Sequence, residues 1–412
     1  MSLARQKQEA ANPLGSTDRH DFLTVAALAL APAVGLGIAR FAYALVLPDM
    51  RADLGWTYAD AGRMTAANAL GYLIGALFAA RTISAGGAFR VMVSGAFACV
   101  VALGLCAIFR NDALLNAAWF LAGIGGSLAF VAGGVLATGI AQRHPARASF
   151  LLGLFYAGPG LGILLSGVGV PLVLEQLGPG SWPAAWTVLA VLSLPLAFGL
   201  WFAKGEMRPS PAAGQERAPV RRMAFLLVGY FIFGAGYIAY MTFMIAWVQN
   251  QGAGAGFQSL FWIAIGLAAM VSPWLWAGVL KRRLHGRAFA TLTGVTALGA
   301  ALPLLSGAKP VLLASATLFG GAFFAVVAAT TAFVRRNLPP QSWASGIGVL
   351  TVSFGLGQAL GPIGTGLLND FTGGLSGGLW ASAGLLLAAA SIGSLQRDLA
   401  ASPPLAASPD SS

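Results

Sequence analysis

Residues 22–47 read FLTVAALALAPAVGLGIARFAYALVL, an apolar run in which Arg40 is the one charged side chain. About 20 apolar residues in a helix cross the hydrocarbon core of a bilayer, so this run is long enough to span a membrane. The stretch before it is polar, and the run exceeds the apolar part of a secretory leader, so no cleavable signal peptide is expected. Eleven runs of the same character follow. They lie at Tyr58–Ala80, Phe89–Phe109, Leu114–Ala141, Phe150–Leu174, Ala184–Ala203, Met223–Gln249, Ser259–Leu280, Ala288–Leu305, Pro310–Val334, Trp343–Leu368 and Leu375–Leu395.

Composition agrees with this reading. Of 412 residues, 57% are hydrophobic and 9% are charged, with a mean hydropathy of +0.77, where a soluble domain carries about 25% charged residues. Twelve spans use roughly 250 residues, and the short alternating segments of a β-barrel are absent. The expected fold is an all-α integral membrane protein. Twelve transmembrane helices form two six-helix, pseudo-symmetric bundles, at 22–203 and 223–395. Around them lie an N-terminal tail (1–21), a linker (204–222) rich in Pro, Ala and charge, and a tail (396–412) that reads as disordered.

The net charge of +11 arises from 24 Lys and Arg against 13 Asp and Glu. Nucleic-acid binding is excluded by where these cations stand. Seven segments on the side of the N-terminus hold 19 of them; the six opposite loops hold three, Arg51, Arg110 and Lys309, and Arg40 and Arg63 fall inside helices. Such asymmetry is the orientation signal of an inner-membrane protein with both termini and the linker in the cytoplasm. Cys99 and Cys106 share the third run and read as packing residues. His20, His144 and His285 lie outside the spans, so neither a metal site nor a cofactor is expected. The Gly-rich strings lie inside apolar helices and lack a Lys-Ser/Thr ending, so they are not phosphate loops, and no enzyme motif is present.

The two halves echo each other. Gly35-Leu-Gly37-Ile-Ala-Arg40 in helix 1 parallels Gly234-Ala-Gly236-Tyr-Ile-Ala239 in helix 7; Gly71 parallels Gly266; Gly162 in helix 5 parallels Gly357 in helix 11. Parallel six-helix repeats joined by one linker are the plan of many secondary transporters. At these residues the chain resembles the major facilitator superfamily. The loop Gly278-Val-Leu-Lys281-Arg282-Arg283-Leu-His-Gly286-Arg287 is similar to that superfamily's loop signature, without its acidic member. Gly37-Ile-Ala-Arg40-Phe-Ala-Tyr43, Asn68-Ala-Leu-Gly71-Tyr72, Tyr156-Ala-Gly158-Pro159-Gly160 and Phe354-Gly-Leu-Gly357-Gln358-Ala-Leu-Gly361-Pro362 are similar to the bacterial YbfB/YjiJ-type group. The resemblance implies that helix 1 lines a central cavity and that helices 3, 6, 9 and 12 face lipid.

Arg40 is the sharpest functional candidate, because an arginine facing lipid at that depth costs several kcal/mol. Helical spacing groups it with Gly37, Tyr43 and Ala44, and places it roughly 10 Å from the helix end at Leu47. Its planar fork suits bidentate contact with a carboxylate, and no acid stands mid-membrane to neutralise it. Asn68, Tyr72, Ser127, Tyr156, Tyr237, Tyr240, Trp262 and Gln358 complete the candidate binding set. All but Tyr156, which comes from the helix 5 string, belong to polar and aromatic stripes that also serve helix packing. Asp60 and Arg63, three apart at the start of helix 2, have the spacing of a structural or gating ion pair. The expected activity is secondary transport of a small organic anion, a carboxylate with an apolar part, by a monomer whose other partners are lipids. An efflux pump for hydrophobic or cationic drugs would want a membrane-embedded carboxylate, and a transporter-like receptor would want an extramembrane domain; neither is present in the sequence.

Overall fold

A computed structural model of the chain describes residues 16–204 and 216–399. Residues 1–15, 205–215 and 400–412, which carry most of the expected tails and linker, lie outside the described residues. Twelve helices are long and apolar enough to cross a membrane. They are α1 (Arg19–Leu54), α2 (Tyr58–Gly86), α3 (Ala88–Ile108), α4 (Asp112–Arg143), α5 (Pro145–Leu177), α6 (Trp182–Ala203), α7 (Val220–Asn250), α8 (Ala255–Arg282), α9 (Arg287–Leu305), α10 (Lys309–Asn337), α11 (Pro340–Thr372) and α12 (Leu375–Ser394). The described residues contain no strand.

Helices in lipid gain little from the hydrophobic effect between them, so they associate through close packing at small residues. Here backbone meets backbone at glycine after glycine. Gly37 of α1 lies on Gly162 and the Pro159 carbonyl of α5, and Gly71 of α2 on the Phe120 carbonyl of α4. A Cβ at either position would collide with main chain. The repeat is visible in these crossings. Gly162 of α5 abuts the Ala33 carbonyl of α1, as Gly357 of α11 abuts the Phe231 carbonyl of α7. Gly123 of α4 abuts the Asn68 carbonyl of α2, as Gly320 of α10 abuts the Ile265 carbonyl of α8. Gly71 and Gly266 break the parallel: Gly71 packs within its own bundle, Gly266 against Gly160 and Leu164 of α5 across the boundary.

Helices α1–α6 and α7–α12 form the two bundles, which meet along α2 and α11, α5 and α8, and α1 and α7. Helices α3, α6, α9 and α12 make their main contacts inside their own bundle. Because the number of crossings is even, Ser16, Lys204, Glu216 and Leu399 share one end of the molecule, the basic end.

Three boundaries depart from the sequence reading. The described residues are helical from Ser16 on, inside the expected tail, and His20 stands in these turns, where Thr24 Oγ1 donates to the His20 carbonyl at 2.8 Å. At its other extremity α1 continues to Leu54. The polar residues past Leu47 are used there: Asp49 accepts from the Gly180 and Trp182 amides at 2.8 Å, and Asp53 from the Trp182 indole at 2.7 Å. The expected disordered tail is anchored through Leu399. Gln396 accepts from the Leu226 amide at the start of α7, and Asp398 accepts from the His285 amide and the Asn337 side chain. Asp398 thus brings a carboxylate to the α8–α9 loop that has none of its own.

At the end opposite the basic one, the bundles are tied across their boundary. Both carboxylate oxygens of Asp370 on α11 accept from the first backbone N–H groups of α2, Tyr58 at 2.8 Å and Ala59 at 2.9 Å. The Tyr58 ring stands edge-on to Phe243 of α7 and carries the Arg51 guanidinium 3.8 Å from its centre.

Candidate functional site

Helix α1 changes character halfway along. From Ala33 to Phe41 its backbone widens to π-helical, i→i+5 pairing, and all nine residues are buried. Pro32 immediately before has no N–H to offer the regular ladder, while Gly35 and Gly37 clamp the segment against Gly126 of α4 and Gly162 of α5. Local π geometry is uncommon and concentrates at functional sites. The residue it delivers is Arg40, fourteen positions before Leu54 and so about 20 Å from that end of α1, deeper than the shorter expected helix implied.

Arg40 is 7% exposed. Its Nη2 donates to Oε1 of Gln358 on α11 at 2.7 Å, and Gln358 Nε2 in turn donates to the Tyr237 hydroxyl of α7. The Tyr72 ring of α2 lies 4.8 Å from the guanidinium carbon, a cation–π distance. Nη1 is buried and has no hydrogen-bond partner among the described residues. No carboxylate answers this charge: every described Asp and Glu in the twelve helices lies within about two turns of a helix end. Arg40, Tyr72, Tyr237 and Gln358 therefore form one cluster spanning both bundles, with a permanent cation and an unused donor at its centre.

The second bundle supplies an aromatic wall beside it. Tyr230 and Phe354 stack at 4.5 Å, Phe354 and Tyr237 at 5.5 Å, and Tyr237 and Phe323 at 5.9 Å, all within 24° of parallel. Phe41, next to Arg40, meets Phe323 edge-on at 5.8 Å. Toward one side, Thr65 of α2 and Thr242 of α7 share a hydrogen bond at 3.3 Å between the bundles. Toward the basic end, Tyr156 of α5 packs on Phe130 and Phe155, with Tyr72 and Arg335 in its electrostatic surroundings. It is 42% exposed, the most open of the candidate substrate-binding residues.

Other candidates serve elsewhere. Tyr43 leaves the Arg40 face: its hydroxyl donates to the Ala61 carbonyl at 3.1 Å and its ring lies among Trp119 and Trp186. The π segment is the reason, because a widened turn undoes the α-helical spacing that grouped the two residues. Asn68 donates to the Ala39 and Trp119 carbonyls at 3.2 and 3.1 Å, tying α2 to α1 and α4 directly behind the cluster. Ser127 bonds the Ile124 carbonyl within its own helix. Tyr240 bonds Ser315 at 2.7 Å and stacks on Phe319 inside the second bundle, while the Trp262 indole donates to Ser166 at the α5–α8 contact. Asp60 and Arg63 form an ion pair at the start of α2, where Asp60 also completes a reciprocal cap with Thr57.

Sequence reasoning missed Thr242 and Phe323, which differ in no local way from the other hydroxyl and aromatic residues of their helices, and Asp370. The signal for Asp370 was a lone acid just before Gly373-Gly374, at the end of a helix otherwise without carboxylates. Among the described residues no three His, Cys, Asp or Glu side chains gather as a metal site.

Comparison with known proteins bears on the whole chain. The structure is similar to a bacterial homolog of the human lysosomal transporter Spinster, solved inward-facing and unoccupied. The TM-score is 0.66 at 15% identity, over 91% of this chain and 96% of that one. It is also similar to a point mutant of the nucleoside transporter NupG, with a TM-score of 0.64 at 13% identity over 91% and 96% of the two chains. At these identities the likeness concerns the fold. A search of curated proteins gives no match. The family model described as uncharacterised MFS-type transporter YbfB matches residues 32–394, from the turn before the π segment to the end of α12, and the chain belongs to that family of major-facilitator transporters.

Proposed function

We propose that this transporter carries a small organic anion, a carboxylate with an apolar part, by alternating exposure of the cluster between the two bundles. The supporting observation is Arg40: a buried guanidinium with no acidic partner among the described residues and one donor, Nη1, unused. Leaving a buried charge uncompensated costs several kcal/mol, and an anionic substrate relieves that cost when it binds. Gln358 takes one N–H of Nη2, so a two-pronged contact falls on the N–H groups that remain, those of Nη1 among them. The aromatic wall of Phe354, Tyr237 and Phe323 suits the apolar part. In this reading the protein works as a monomer in the bacterial inner membrane, with both termini and the linker in the cytoplasm on the strength of the charge asymmetry. Any proton moves on the substrate's own acid group, since no described carboxylate or imidazole lies near the cluster.

The test is thermal-shift screening of purified protein against carboxylates, aromatic acids and cationic dyes, followed by counterflow of the responding compound in proteoliposomes. Arg40→Lys keeps the charge without the fork and Arg40→Ala removes both; each should fold and bind the anion at least about 30-fold more weakly, a loss of some 2 kcal/mol or more. Unchanged affinity in Arg40→Ala, or a response confined to cationic dyes, refutes the proposal.

A further inference from the structure

Gln358 occupies the position where a buried arginine ordinarily meets a carboxylate. It is 1% exposed, and both ends of its amide are committed. Its oxygen faces Arg40 and its nitrogen faces the Tyr237 hydroxyl. A guanidinium has only donors, so the amide is turned with its acceptor toward Arg40. Its backbone is equally fixed: a Cβ at Gly234 of α7 would press on the Phe354 carbonyl and approach the Gln358 amide nitrogen at 3.3 Å. The side chain therefore orients Arg40 across the bundle boundary, satisfies one N–H and leaves the charge whole. A glutamate has the same shape and would place a negative oxygen 2.7 Å from Nη2, where the amide oxygen now stands.

We infer that Gln358 is the residue that sets this transporter's charge selectivity: as a neutral acceptor it positions Arg40 without discharging it, so that the anion, rather than the protein, supplies the negative charge at Nη1. The inference rests on the anion reading above. It assigns to Gln358 a positioning role in substrate choice that packing alone would not require, and it predicts unequal losses for two substitutions of similar size. Gln358→Glu installs a permanent counter-ion and should abolish the anion response. Gln358→Met keeps the volume but removes the acceptor that holds Arg40, so anion binding should weaken severalfold while the charge stays undischarged. A purely structural glutamine would make the two variants equally weak.

The probes are benzoate and 3-phenylpropionate, with benzamide as the neutral isostere of benzoate, read by melting temperature and by equilibrium binding. In the parent the carboxylates should bind and benzamide should not. Gln358→Glu should weaken the carboxylates at least about 30-fold, while Gln358→Met weakens them about fivefold or less, the worth of one hydrogen bond of about 1 kcal/mol. Equal carboxylate binding in parent and Gln358→Glu, or equal losses in the two variants, overturns the inference. A ligand-free double-mutant cycle reads the same charge without any anion. Gln358→Glu should raise the melting temperature of the parent and fail to do so in the Arg40→Met background, whereas equal effects in the two backgrounds overturn the inference. A parent that responds to no carboxylate, with the Arg40-dependent gain intact, refutes the transport reading instead and leaves Gln358 as the neutral partner of Arg40.

Discussion

Replacing Asp370 by alanine should loosen the molecule at the end opposite the basic one, and the size of the effect follows from geometry. The carboxylate accepts from two of the four backbone donors that any helix leaves unpaired at its start. Hydrogen bonds to a charged group contribute about 1.5–3 kcal/mol each when buried. The Tyr58 bond is exposed and the Ala59 bond only part-buried, so about 1 kcal/mol apiece is appropriate. A negative charge at a helix N-terminus adds roughly 0.5 kcal/mol. Asp370→Ala should therefore cost about 2–3 kcal/mol, and Asp370→Asn, which keeps an oxygen but not the charge, about half as much. For a unit the size of one bundle, each kcal/mol moves the melting temperature by roughly 2–4 °C. Tryptophan fluorescence on heating, in detergent at neutral pH, should show Asp370→Ala melting well below the parent, with Asp370→Asn between them. Identical melting curves for all three would refute the cap as a tie between bundles.

Gly37→Val should destabilise by about 1–3 kcal/mol, because its side chain would enter the main chain of α5. Gly104→Ala on α3, with nothing within 4 Å of its Cβ, should instead raise the melting temperature by the helix-propensity gain of about 1 kcal/mol. Asn68→Leu removes two buried donations, to Ala39 and Trp119, and should lower stability by about 2 kcal/mol; a melting temperature equal to the parent's would show that the amide is not what holds α2 to α1.

The architecture was legible because membrane physics leaves few options. Apolar runs of spanning length must be helices, and the paired glycines Gly162 and Gly357 mark a crossing that recurs between halves, whereas Gly71 and Gly266 do not. Arg40 was legible for the complementary reason, as the lone charge in Phe22–Leu47. Its partners Tyr72, Tyr237 and Gln358 were named from stripes on three helices, yet the same logic also named Tyr240, Ser127 and Trp262, whose hydroxyls and indole are satisfied elsewhere. A sequence shows which side chains need a partner but not which partner each one finds. Tyr43 was misplaced for a sharper reason, because spacing arguments assume α geometry and the π turn from Ala33 to Phe41 changes the count at the critical point. Asp370 and Asp398 were overlooked because each acts on an element far away in sequence, and no local pattern marks that.

The boundary between the bundles is paved largely with glycine: Gly62 against the Pro362 carbonyl, Gly160 and Gly266 against each other, Gly366 against Tyr58. Where main chain slides over main chain no side chains interlock, and a rotation of one half against the other meets little resistance there. Resistance to such rotation then resides in side-chain contacts: the Asp370 carboxylate on α2, Arg40 on Gln358, Thr65 on Thr242 and Trp262 on Ser166, with the rings of Phe41 on Phe323, Tyr58 on Phe243 and Phe150 on Trp274. One of these lies at the contact point proposed for the substrate, so in that reading occupancy of the site and freedom of the hinge depend on the same guanidinium.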